Sequence, residues 1–316
     1  MKKILYIAAG SRKWGAGHVR RSSQVINTLN KIGEDVLSIA LVPTDEEALM
    51  LRSFLHPYNF KVSSLNEIET DGASTIVVDV DDDLQPEMFA WLKRTNLRVF
   101  ALDWYINDSE IVQDKINLRE GVSAFKYCII REEFHRAKEK YVGSSPSYDV
   151  VVVVGGGDFR GHISTLLKYC KEDEFFSNKK IVVVMGPMTD DSSLNSKSFS
   201  QNLLVLKSPD NIAEIMANTY VGISNGGSSL MEFTMLGIPT LVFPQTTQED
   251  TFINPFLDNG SSIVGSLDRN MFKLQLKELW ENHTLRRQMS EKARRLIDGF
   301  GAERIADKIA NFVESV

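Results

Sequence analysis

YVGISNGGSSLMEFTMLGIPTLVF, residues 220–243, reads as a strand, a glycine turn, a helix and a second strand. Tyr220–Ile223 is a short run with β-branched residues, Gly226-Gly227 turns the chain, and a helical stretch opens near Ser228. Pro239–Phe243 is again a short apolar run. A strand, a crossover helix and another strand in so few residues make a βαβ unit, the building block of parallel sheet.

The same alternation extends outward to both ends. In the first half, Lys3–Ala9, Asp35–Val42, Ser74–Val80, Arg98–Leu102 and Tyr127–Ile130 read as strands, with helices over His18–Ile32, Asp45–Leu55 and Pro86–Arg94. In the second half, strands are predicted at Tyr148–Val154, Lys180–Met185, Leu203–Leu206, Tyr220–Ile223, Pro239–Phe243 and Ser262–Val264. The expected class is α/β with mainly parallel sheets. At about 150 residues per domain, 316 residues predict two domains, each able to bury a core. The polar, turn-rich stretch Gly143-Ser-Ser-Pro-Ser147 sets the expected boundary, giving domains 1–146 and 147–300. Beyond the break at Asp298-Gly-Phe-Gly301, the amphipathic segment 301–316 is expected to cross back onto the first domain.

Charge removes several partner classes. The chain has 36 Lys and Arg against 42 Asp and Glu and lacks a basic block, so a nucleic-acid backbone is not an expected partner. Cys128 and Cys170 are far apart and lack CxxC spacing, which leaves neither a disulfide framework nor a zinc site and makes the cytoplasm the default location. MKKILYIAAG opens like a secretion signal, but Ile4–Ala9 is too short and Arg12 and Lys13 follow at once, so it reads as a first buried strand. The longest apolar run, Val150–Val154, is far below the ~20 residues of a spanning helix, while peripheral membrane contact and oligomeric state stay open.

Two loops carry chemistry. Gly15-Ala-Gly-His-Val-Arg-Arg21 lies between the first strand and first helix, where open α/β sheets bind ligands. The dinucleotide fingerprint fails, because Arg20 replaces its third glycine and no acid ends the second strand. His18 at a helix mouth has two readings, a cap or a neutral imidazole able to accept a proton, since the helix dipole disfavours imidazolium there. The second loop, Ile223–Glu232, offers Ser224, Asn225, Gly226, Gly227, Ser228 and Ser229 at a helix start suited to a diphosphate. Glu232 also has two readings: Ser229 and Glu232 match the S-x-x-E capping box, and a carboxylate there can bind both ribose hydroxyls.

Supporting loops are Gly155–Asp158, with Gly156 and Gly157, and the segment holding Gln248 and Glu249. Asp79-Val-Asp-Asp-Asp83 contains a DxD, a spacing that holds Mn2+ in some glycosyltransferases, but acidic turns at strand ends are commonly just solvated, and no metal is expected. Nucleophile elbows are missing, and neither cysteine neighbours an activating group in sequence.

Together these motifs resemble the GT-B superfamily and, more narrowly, the UDP-sugar hydrolases of the pseudaminic acid pathway and the related spore-coat polysaccharide proteins. The resemblance spans most of the chain: Gly15–Arg21, Ile129-Ile-Arg-Glu-Glu-Phe134, Val153–Asp158, Asp210–Met216, Ser224–Glu232, Leu236-Gly-Ile-Pro239 and Leu296–Arg304. It implies two Rossmann-like domains facing across a cleft, with the first taking sugar or acceptor and the second taking the nucleotide. It further implies metal-independent cleavage of the anomeric bond of a UDP-activated sugar, with His18 activating water and the 226–229 loop holding the diphosphate. Glu232 would bind ribose, and uracil would lie near Leu206. Gly15, Gly17, Arg21, Asp79, Asp103 and Asn117 would line the sugar side.

The sequence also departs from that pattern. Asp79-Val80-Asp81 stands where these hydrolases have Asp-His-Tyr, and Asp103-Trp104 stands for their Asp-Asp pair, whereas Asp114 and Asn117 match downstream positions. These departures imply a different nucleotide sugar, or a sugar acceptor in place of water. A glycosyltransferase would use His18 on an acceptor hydroxyl, and a non-catalytic sensor would keep Ser228 and Glu232 without needing His18.

Overall fold

The computed structural model of the chain describes residues 2–11, 17–49, 61–70, 72–118, 121–141, 145–154, 160–185 and 202–315. The chain divides into two compact units. Residues 1–130 and 299–316 form the first, and residues 131–298 form the second.

In the first unit the elements are β1 (Lys3–Ala9), α1 (Gly17–Lys31), β2 (Asp35–Leu41), β3 (Lys61–Ser63), β4 (Ala73–Asp79), α2 (Gln85–Leu92), β5 (Arg98–Leu102), β6 (Asp114–Ile116) and α3 (Gly121–Lys126). The second unit runs α4 (Glu132–Tyr141), β7 (Tyr148–Val154), α5 (His162–Glu172), β8 (Ile181–Met185), β9 (Leu203–Lys207), α6 (Ile212–Ala217), β10 (Thr219–Ser224), α7 (Ser228–Leu236) and β11 (Thr240–Val242). It continues through α8 (Thr247–Phe252), α9 (Asn254–Asn259), β12 (Ser262–Val264), α10 (Arg269–Glu281) and α11 (His283–Leu296). The chain then returns to the first unit as α12 (Gly301–Glu314).

Among the described residues each unit holds one six-stranded sheet, ordered β3-β2-β1-β4-β5-β6 and β12-β11-β10-β7-β8-β9. Every strand pairing in both sheets is parallel. This is the doubly wound, Rossmann-like architecture, in which helices cover both sheet faces.

Period-2 alternation explains how a central strand is buried on both faces. Ile4 and Tyr6 of β1 join Val25, Ile26 and Leu29 of α1 in one layer, while Leu5, Ile7 and Ala9 join Met88 and Leu92 of α2 in the other. Helix α12 belongs to the α1 layer: Ile305, Ile309, Phe312 and Val313 share its buried face, and the Phe312 ring meets Phe100 edge-on at 5.5 Å. In the second unit, Val150 and Val152 of β7 pack with Ile163, Leu166, Phe272 and Leu276 of α5 and α10.

Three sequence expectations change. The unit boundary lies between Ile130 and Arg131, not at Ser147, because α4 packs on α6 and α7 of the second unit; residues 142–144 lie outside those described. Tyr127–Ile130 is not a strand of the sheet; Ile129 makes one isolated antiparallel bridge, to Phe300. Strands β3 and β6 were not anticipated, because Lys61-Val-Ser63 and Asp114-Lys-Ile116 carry charged residues in place of an apolar run. Among the described residues no helix is long and apolar enough to cross a membrane.

Candidate active site

The first unit gathers its titratable groups at the carboxyl end of β4. Strand β4 lies beside β1, with Ala8 opposite Asp79, so the helix that follows β1 starts next to the last residue of β4. His18 is the second residue of α1, and its Nδ1 lies 2.9 Å from Asp79 Oδ1. Arg21, one turn on, donates from Nε to Asp79 Oδ2 at 2.8 Å and from Nη2 to Asp79 Oδ1. The Ser22 hydroxyl donates to Asp79 Oδ2 at 2.8 Å. Asp79 itself has no solvent exposure.

The second acid on Arg21 is Asp103, just past β5, with Oδ2 2.9 Å from Nη1. Asp103 adopts φ 51°, the left-handed region that a non-glycine residue occupies only when its surroundings hold it there. They do so here: its amide donates to Ile116 O, its carboxylate accepts from the Leu118 amide, and Gln85 Nε2 donates to its carbonyl at 2.9 Å. Arg21 is thus a half-buried cation between two buried carboxylates.

These contacts set the protonation states. Burial opposes the charge of Asp79, but Arg21, by charge and hydrogen bond, and then His18 outweigh it and hold the carboxyl well below the usual range. Tyr6, beneath, is pushed far up by burial and by the Asp79 charge and stays a neutral phenol. His18 Nδ1 lies 2.9 Å from Asp79 Oδ1 and 3.2 Å from Arg21 Nη2, so both partners hold the ring through Nδ1. Nε2 faces Asp81 Oδ2 at 3.9 Å. The arrangement is a carboxylate-oriented imidazole with its second nitrogen turned away from that partner, an orientation that general acid–base chemistry uses.

In the second unit the loop between β10 and α7 is tightly packed. Gly227 caps α7 with no side-chain hydrogen bond, so the first amides of the helix are left to an outside acceptor. Gly226 must be glycine: a Cβ there would come within 2.7 Å of Ile253 Cγ2 and 2.8 Å of Glu249 Cβ. Glu249 fixes the loop, accepting from Asn225 Nδ2 at 2.6 Å and from the Gln245 amide at 2.7 Å. The Ser224 hydroxyl and Asn225 Oδ1 are buried and have no hydrogen-bond partner among the described residues. Donors and acceptors at the end of a strand, unpaired beside an uncapped helix start, are what a polar ligand would complete.

Glu232 lies one turn into α7 and is 7% exposed. Its Oε1 accepts from Arg131 Nε at 3.0 Å and Nη2 at 2.9 Å, and the Arg131 guanidinium stacks 4.7 Å from the Phe134 ring. The S-x-x-E capping box does not form, because Ser229 sits inside the helix and Gly227 takes the cap position.

The other residues expected to line the site take these positions. Asp79 and Asp103, read as sugar-side groups, have no exposed surface and instead clamp Arg21. Asp114 pairs with Lys308 at 3.2 Å, and Asn117 is half-buried after β6. Gly17 opens α1 with open space at its Cα, and Leu206 lies in the edge strand β9. Gly15, Gly156 and Gly157 lie outside the described residues; Gln248 is in α8, and its side chain is likewise outside. Arg21 at Asp79 occupies the side a cation would need, and among the described residues no three metal-ligating side chains cluster. The Cys170 thiol is pushed up to about 12 by burial and by the Asp173 charge, which leaves it a poor nucleophile.

Sequence reasoning missed the roles of Ser22, Arg131 and Arg160. Arg131 stands in the Ile129–Phe134 motif, which was a signal without an assignment. Arg160 holds the Pro244 carbonyl and, through two hydrogen bonds, Asp250, while its amide donates to Gln245 Oε1.

Comparison with known proteins agrees with this architecture. The Glycosyltransferase family 28 C-terminal domain matches residues 150–265, inside the second unit. The spore coat polysaccharide biosynthesis protein SpsG of Bacillus subtilis is 23% identical over 210 residues, 64% of this chain and 61% of that protein. The chain spans about three-fifths of the length of the curated relatives it matches. Among solved structures, the calicheamicin glycosyltransferase CalG4 superposes with a TM-score of 0.68 at 13% identity, covering 99% of this chain and 98% of that one. The UDP-GlcNAc 2-epimerase of Neisseria meningitidis, bound to UDP-GlcNAc, gives 0.63 at 12% identity, covering 98% of this chain and 100% of that one. The fold is therefore GT-B, two Rossmann-like domains with parallel sheets.

Proposed function

We propose that the chain is an enzyme that displaces a nucleoside diphosphate from the anomeric carbon of a nucleotide sugar, using an oxygen nucleophile that His18 deprotonates. The observation that supports this reading is the His18–Asp79 pair, which holds the ring through Nδ1 and leaves Nε2 turned away from that carboxylate. The second unit supplies the diphosphate seat: amides at the start of α7 stabilise the charge that grows on the leaving group, and no metal is needed. Glu232, held by Arg131, is the candidate ribose contact.

Glycosyl transfer to an acceptor hydroxyl is the form of this reaction supported by the family 28 domain match and by the likeness to CalG4. Hydrolysis, with water as nucleophile, is the second reading, and the position of Asp81 favours it. The natural role in either case fits polysaccharide biosynthesis, the process in the name of the Bacillus subtilis relative. The test is diphosphate release from a panel of UDP-, CDP- and dTDP-activated acetamido sugars, followed by NMR without and then with cell-extract acceptor. Free sugar without acceptor marks the hydrolase, and release only with acceptor marks the transferase. Equal release by wild type and His18→Ala would overturn the assignment of His18.

A further inference from the structure

The second unit has a cavity at the end of its sheet away from the β10–α7 loop. Strand β10 borders it at Thr219 and Tyr220 and ends at Ser224, so the two places stand about 17 Å apart at ~3.3 Å per residue. One wall is helix α11. His283, Arg286, Arg287, Ser290 and Arg294 line the cavity, at spacings of three and four that put them on one face of the helix. The opposite side includes the turn from α7 to β11, where Gly237 holds φ 75°. Among the described residues that line the cavity none is acidic.

The three arginines are not equivalent. Arg286 is half-buried and already engaged: Nη1 donates to Leu279 O at 2.6 Å and to Trp280 O, satisfying carbonyls in the last turn of α10, and the guanidinium carbon stands 5.5 Å from the centre of the Tyr220 ring. Arg287 and Arg294 are exposed and make no hydrogen bond or ion pair among the described residues. Arg294 is nonetheless anchored, its stem packed where a Cβ at Gly237 would stand. Its charge reaches α4, where burial and then Arg294 hold the Lys138 ammonium below the usual lysine range against the pull of Asp298. Cations gathered on one face without carboxylates between them repel one another, and a bound anion removes that cost.

We propose that this cavity binds a small phosphate-bearing anion, held by Arg287 and Arg294 and drawn by the charge of Arg286. Guanidinium suits that ligand, because its fork of N–H donors matches two phosphate oxygens at once. The cavity measures about 240 Å³. That is the share of about eight waters and lies below the ~300–1,000 Å³ of a site for a drug-sized ligand, so the enclosed part is a phosphate or diphosphate group with little attached. The site is separate from the β10–α7 loop and does not depend on the proposed function.

The test uses the full chain and radiolabelled pyrophosphate in equilibrium dialysis, with UDP at saturation so that a diphosphate seat at α7 is already filled. Wild type is expected to bind, and the paired change Arg287→Gln with Arg294→Gln to weaken binding about tenfold or more at an unchanged melting temperature. No binding by wild type at millimolar pyrophosphate, or equal binding by the variant, overturns the proposal. If the pair melts lower, Arg287→Gln alone, at an exposed and unpaired position, takes its place with the same expectation. If UDP does not bind, the proposed function fails, while the difference between wild type and variant still decides the cavity. Crystals soaked in tungstate, a heavy tetrahedral dianion, should show it between Arg287 and Arg294, and tungstate bound only elsewhere overturns the assignment. Vesicles identify the source. Retention on phosphatidic acid but not phosphatidylcholine vesicles, lost in the variant, makes the ligand a lipid headgroup, and binding of pyrophosphate alone makes it a soluble phosphate.

Discussion

His18 Nδ1 and Asp79 Oδ1 are 2.9 Å apart across 61 positions of sequence, brought together because β1 and β4 are neighbours in the sheet. On the proposed function, this contact orients His18 as the base. His18→Ala should therefore lower turnover about 10²–10⁴-fold, the usual span for a positioned general base, while UDP affinity by calorimetry stays near wild type. Weak UDP binding with normal turnover would remove His18 from the chemistry.

Asp79 makes stability depend on acid. Its folded carboxyl titrates well below its unfolded value of about 3.9, so its contribution is complete above that value and is lost as pH falls toward the folded one. Asp79→Asn leaves Arg21 with Asp103 as its remaining carboxylate, and a loss of up to about 3–5 kcal/mol at pH 7 is expected. In urea titrations the gap between wild type and variant should narrow as pH drops below about 4. A gap independent of pH would mean the pair contributes through packing alone.

The fold was legible because parallel strands buried on both faces announce themselves as short apolar runs, as Ile4–Ala9 and Val150–Val153 do. The strand, glycine turn and helix of residues 220–236 were legible for a similar local reason, since they are contiguous. The Asp79–Arg21–Asp103 chain was not. Its members come from three segments, and only the sheet order places the ends of β4 and β5 beside α1. Glu232 shows the opposite failure: the S-x-x-E spacing was visible, but the cap position belongs to Gly227, which spacing alone does not reveal.

Gly226 has no room for a side chain. Gly226→Ala would force Ile253 and Glu249 away, and Glu249 holds Asn225 and the Gln245 amide. A stability loss of about 1–3 kcal/mol is expected by thermal melting, together with weaker UDP binding. An unaltered affinity in a folded variant would place the diphosphate elsewhere.

Chelation gives a direct reading of the acidic turn. Because Arg21 already occupies Asp79, excess EDTA should change neither UDP binding nor the rate of diphosphate release. Strong inhibition that Mn2+ reverses would return Asp79 and Asp81 to the role of metal ligands.

Glu232 separates a ligand contact from a strut. Its Oε1 takes two hydrogen bonds from Arg131, and no cap depends on it, so Glu232→Gln keeps an acceptor in place while removing the charge. The expected loss of stability is small, about 1 kcal/mol, from exchanging a charge-assisted pair for a neutral one. A carboxylate that binds ribose through its hydroxyls should also distinguish UDP from 2′-deoxy-UDP. Calorimetry should then show wild type preferring UDP about tenfold, and Glu232→Gln losing most of that preference. If the variant melts lower but discriminates as wild type does, Glu232 serves only to hold Arg131 against Phe134.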